Sequence, residues 1–102
     1  MDITEWRNKI DDVDRQLVRL LNERAAMAQQ IGRLKRETSL PIYEPDREAV
    51  IFRNIDRENR GPLRTSDLHH IFERIIDVMR SLQKNEAQAS AAEGTISQKE
   101  QS

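Results

Sequence analysis

The stretch LLNERAAMAQQIGRLKRE, residues 20–37, decides the fold. Alternating steps of four and three, taken from it in both directions, pick out Trp6, Ile10, Val13, Leu17, Leu20, Arg24, Met27, Ile31 and Leu34. Eight of these nine positions are apolar, which is the stripe of an amphipathic helix. The stripe crosses no proline and one glycine, Gly32, and DITE at 2–5 offers Asp2 as an N-cap with Glu5 three residues on. The spacing predicts one helix from about Thr4 to about Glu37. At ~1.5 Å per residue it is ~50 Å long, roughly twice the diameter of a compact domain of this size. No single short chain covers such a stripe, so a second copy is expected to pack along it. The ninth position is the anomaly: Arg24 stands where its neighbours specify core.

Downstream, TSLPIYEPDRE at 38–48 breaks the pattern with Pro41 and Pro45, and Pro45 is suited to the first position of a new helix. A short helix is expected over 45–59, with Val50, Ile51 and Ile55 inward and Arg53, Asp56, Arg57 and Glu58 outward. Gly61 and Pro62 stop it. TSDLHHIFERIIDVMRSLQ at 65–83 then reads as a third helix, capped by Thr65 or Ser66, with Leu68, Phe72, Ile75, Ile76, Met79 and Leu82 as its stripe. From Asn85 the composition turns to Ala, Ser, Gln, Glu and Lys, and Ile96 is the only sizeable apolar residue. The expected organisation is an all-α chain of three helices, one very long, one short and one medium, over residues 1–84. A polar tail at 85–102 is expected to be disordered past residue ~90, because it buries too little to offset ordering entropy.

Bulk properties narrow the function. In 102 residues, 36% are apolar and 34% charged, and 17 Lys+Arg against 18 Asp+Glu leave a formal charge of −1. A nucleic-acid or membrane-surface binder needs a clear positive excess, so neither partner is expected. With no cysteine, disulfides and thiolate metal sites are excluded. The first twenty residues carry charges throughout, no apolar run approaches a membrane span, and a cytoplasmic protein is expected.

Chemistry is expected at the positions that break the stripes. Lys35 lies eleven residues after Arg24, hence within ~20° of it around the helix and ~16 Å further along. Both side chains are long enough to hold one small anion between them. Gln83, reached from Ile76 and Met79 by steps of three and four, puts an amide on the apolar face of the third helix. Arg7 is the remaining candidate, beside Trp6. His69 and His70 are adjacent, diverge by ~100° on a helix and cannot share a metal. No metal-ligand spacing, nucleophile elbow or glycine-rich phosphate loop occurs, so neither metal nor cofactor is expected. Inward cations and an amide, without nucleophile or base, suit a polyanionic small molecule or a reaction that needs neither group.

The order Arg7, LLNER ending at Arg24, IGRLK ending at Lys35, PDRE at 45–48 and RSLQ ending at Gln83 resembles the all-α chorismate mutase family over about residues 4–84. The resemblance implies an intertwined homodimer that converts chorismate to prephenate by a [3,3] Claisen rearrangement, on the route to phenylalanine and tyrosine. It further implies that Arg24 and Arg7 of the partner chain bind the substrate carboxylates. Lys35 and Gln83 would donate to the ether oxygen, and Glu48 would contact the ring hydroxyl. The backbone near Glu44 would assist, and Arg47 would orient the cluster. Met79 departs from the pattern, standing where many members have a small hydroxyl residue that contacts a carboxylate. Two other readings stay open: an isochorismate-pyruvate lyase of the same fold, and a non-catalytic helical dimerisation or regulatory module.

Overall fold

The computed structural model describes the backbone of residues 1–96 and the side chains of residues 1–88. It holds three helices: α1 at Ile3–Thr38, α2 at Pro45–Glu58 and α3 at Thr65–Ile96; among the described residues there is no strand. Helix α1 opens as its first residues dictate, with the Asp2 carboxylate accepting the Glu5 N–H at 2.9 Å. It closes where Ser39 turns left-handed, at φ 59°, and the Leu40 N–H reaches back to the Lys35 carbonyl at 2.9 Å. Pro45 begins α2, where its missing N–H costs nothing.

The third helix differs from expectation at both ends. Thr65 is its first residue rather than its cap, and the Thr65 hydroxyl instead accepts from Asn59 Nδ2 at 3.2 Å. At the other end α3 does not stop near residue 84 but runs to Ile96. Two causes are visible. Glu86 is gripped by α1, its carboxylate by Arg33 Nε at 3.0 Å and its carbonyl by Arg36 at 3.1 Å. The following residues include Ala87, Ala89, Ala91 and Ala92, the strongest helix formers. Residues 97–102, also assigned to the expected tail, lie outside the described residues.

The second half of α1 packs along α3, with α2 leaning on α3 beside it. Gly32 makes the α1–α3 approach possible. A methyl group built on it would lie 2.9 Å from Gln83 Cα and 3.0 Å from the Gln83 carbonyl oxygen, both backbone atoms that cannot swing aside. We expect Gly32→Ala to force the helices apart and destabilise the fold by ~1–3 kcal/mol, despite the ~1 kcal/mol that alanine gains in helix propensity. Urea unfolding at fixed protein concentration measures this, and an unchanged or higher midpoint would contradict the close packing at Gly32.

Little of the chain is enclosed. Ala28, Ile76, Met79 and the charged Lys35 are buried, while every residue from 1 to 23 is exposed. The molecule is a slab of 58 × 36 × 15 Å. Along its edge Trp6, Ile10, Val13, Leu17 and Leu20 each keep at least 50% of their surface open.

Candidate active site

The deepest features gather where α1, α2 and α3 meet. Lys35 is 6% exposed, and its ammonium is held by three acceptors: the Ile42 carbonyl at 3.0 Å, Gln83 Oε1 at 2.9 Å and the Glu44 carboxylate at 2.5 Å. One acceptor comes from the loop after α1, one from α3 and one from the residue that opens α2, so a single cation ties the three helices together. Since Gln83 presents its oxygen to Lys35, its Nε2 has no partner among the described residues and is left to donate.

These groups line a cavity of about 330 Å³. Of the residues singled out in the sequence, it collects Arg24, Lys35, Glu44, Arg47, Glu48, Met79 and Gln83. Their positions follow from local geometry: Arg24 and Lys35 share a face of α1, Arg47 and Glu48 sit in the first turn of α2, and Met79 and Gln83 are one turn apart on α3. Ala28, Ile31, Ile51 and Ile76 supply an apolar lining. Arg24 carries the clearest electrostatic signature. Burial, and then the like charge of Arg47, lower its pKa from the usual guanidinium value, although a guanidinium remains a cation throughout the physiological range. Two guanidinium groups close enough to repel, with an ammonium deeper in the same cavity, make a site that gains from a bound anion.

Arg7 is not brought to this cavity. It is exposed in the first turns of α1, seventeen residues and ~25 Å before Arg24 along the same helix. Arg80, by contrast, enters the sequence reading only as the first residue of RSLQ, with no role of its own, but lines the cavity. It ion-pairs with Glu48 across the α2–α3 gap. A signal for it exists: Arg80 is four residues after Ile76, on the face that carries Met79 and Gln83. Among the described residues, no group of three or more His, Cys, Asp or Glu side chains could hold a metal ion, and no helix is long and apolar enough to cross a membrane.

The sequence matches the family model described as chorismate mutase type II over residues 6–84. The chain belongs to the type II chorismate mutase family. Its likeness to a bifunctional chorismate mutase/prephenate dehydratase of Aquifex aeolicus is 41% identity over 87 residues, covering 81% of this chain and 24% of that protein. A chorismate mutase of Methanocaldococcus jannaschii is 34% identical over 53 residues, covering 52% of this chain and 54% of that one. Among solved structures, a chorismate mutase (form II) from Thermus thermophilus aligns with a TM-score of 0.79 at 35% identity, covering 80% of this chain and 93% of that one. The chain spans about a quarter of the length of the bifunctional Aquifex relative. In this mutase-family chain, the matched span takes in the body of α1, all of α2 and α3 as far as the Lys35–Gln83 contact, and α3 continues past its end to Ile96.

Proposed function

We propose that this chain catalyses the [3,3] rearrangement of chorismate to prephenate, working as a homodimer with two shared sites. The observation that carries the reading is the pairing of Lys35 and Gln83 on the wall of a cavity that also holds Arg24 and Arg47. Chorismate offers two carboxylates, one ether oxygen and one hydroxyl. In the rearrangement the ether C–O bond breaks as a C–C bond forms, and no proton is transferred, so neither nucleophile nor base is required. The protein must hold the compact reactive conformer and stabilise negative charge as it grows on the ether oxygen.

The residues divide accordingly. Arg24 takes one carboxylate with its planar fork, Arg47 orients it, and Arg7 of a second copy takes the other. Lys35 and the Gln83 carboxamide nitrogen donate to the ether oxygen. Glu48, an acceptor, is matched to the ring hydroxyl, the substrate's one donor among these groups. The backbone near Glu44 closes the loop side. Met79 offers only apolar surface and a weak acceptor, so the carboxylates rest on the cationic groups.

Two features support the second copy. The stripe from Trp6 to Leu20 is open on a slab-shaped chain. Arg24 and Arg47 also border a hollow of about 640 Å³, faced with Ile51, Ile55, Leu68 and Phe72, that could seat a partner's helix. Incubating the purified protein with chorismate and, separately, isochorismate tests the chemistry. Prephenate from chorismate is the expected result. Pyruvate release from isochorismate alone would reassign the site to the lyase reaction, and no turnover of either would leave a regulatory module.

A further inference from the structure

We propose that Arg80 is a positioning residue for substrate specificity, fixing the Glu48 carboxylate in the one orientation that accepts the ring hydroxyl of chorismate. The assignment rests on the mutase reading above and goes beyond it, because Arg80 belongs to none of the groups placed there on the substrate.

The geometry is that of a clamp. Arg80 on α3 donates through Nη2 to Glu48 Oε2 on α2. Its other terminal nitrogen lies 3.5 Å from Asp77 one turn earlier on α3, and its guanidinium carbon stands 5.1 Å from the centroid of the Tyr43 ring. The guanidinium is therefore held by a second carboxylate and an aromatic face, on three segments in all: the α1–α2 loop, α2 and α3. A carboxylate in the first turn of a helix otherwise rotates freely about its side-chain torsions. Here one oxygen is committed to Arg80, so the other is the one available to the cavity. The pair is partly buried, with side-chain exposures of 35% and 24%, so it is screened less than an open surface pair.

The consequence follows from the substrate's chemistry. Two of its polar groups are carboxylates, which an anionic Glu48 repels, and the ether oxygen can only accept. The hydroxyl alone can donate. A fixed acceptor reads both the presence of the hydroxyl and its place on the ring, and a site built to pair a hydroxyl discriminates strongly against a substrate that lacks it.

The test compares chorismate with its analogue lacking the ring hydroxyl, using wild-type protein, Arg80→Met and Arg80→Lys. Arg80→Met is expected to lose about tenfold or more in kcat/KM on chorismate, the scale of a charge-assisted hydrogen bond. On the analogue it should match wild type to within about twofold, the usual scatter of independent effects. Arg80→Lys keeps the charge without the fork and should fall between the two on chorismate. Equal losses on both substrates would show that Arg80 merely supports the fold and would overturn the proposal, as would an undiminished rate on chorismate. If circular dichroism shows Arg80→Met unfolded, the Arg80→Lys comparison decides by the same ratio. Failure of wild type to turn over chorismate overturns the mutase reading, and this assignment with it; turnover with equal losses overturns the assignment alone.

Discussion

Lys35→Ala lowers kcat for chorismate by at least ~10²-fold, the loss that follows removal of one donor to a developing oxyanion. The expectation rests on where the ammonium is. It is 6% exposed and fixed by three segments of the chain, so in the proposed role it would act from a preset position with little solvent to reorganise. A water entering the space left by the side chain would not replace it, because water lacks the charge that the growing oxyanion requires. The same change removes the partner of Gln83 Oε1, freeing that amide to rotate, so two donors are degraded together. Circular dichroism and sedimentation must show the variant folded and in the wild-type assembly. A Lys35→Ala protein that passes both and keeps wild-type turnover would remove Lys35, and with it the central donor, from the mechanism.

Mixing two inactive variants restores activity. Arg7→Ala and Arg24→Ala should each be inactive alone, since in the proposed shared site each would remove a carboxylate clamp from both sites. After subunit exchange, a heterodimer holds one site with both guanidinium groups intact and one with both missing. Equal mixing at random then recovers about a quarter of the wild-type sites, from the symmetry of a two-site dimer. The reason is geometric: Arg7 and Arg24 lie ~25 Å apart along one helix, too far to grip one small molecule from the same chain. Exchange is verified independently with differently tagged chains. Verified exchange without recovered turnover would rule out a shared site and return Arg7 to the solvent face on which it stands in a single chain.

How much of this can be read from the sequence differs from residue to residue. Helix α1 is legible almost to its ends because a stripe of that length has one periodicity and clear caps. Arg24 and Lys35 are legible as exceptions to it. Gln83 is visible only as an amide at the end of an apolar face, and its meaning needs the Lys35 contact from another helix. Arg80 escapes notice because its neighbour Met79 satisfies the same face, so a charged residue beside it passes for the helix flank. What makes it part of the cavity is Glu48, 32 residues away, and no local pattern carries that pairing. The length of α3 is hidden for a similar reason. Composition argues for a loose tail, whereas Arg33 and Arg36 reach across from α1 to Glu86. Long-range ion pairs leave no periodic trace.

The triple coordination of Lys35 has a thermodynamic side. An ammonium has three protons to give; here it donates to the Ile42 carbonyl and to Gln83 Oε1, and the Glu44 carboxylate pairs with its charge at 2.5 Å. A ligand oxygen that reaches this ammonium competes for its charge with Glu44, whose side chain is 46% exposed against 6% for Lys35 itself. The affinity observed for any anion at this site is thus the intrinsic affinity reduced by the cost of opening that contact. The apparent constant is set as much by how tightly Glu44 holds on as by how well the ligand fits.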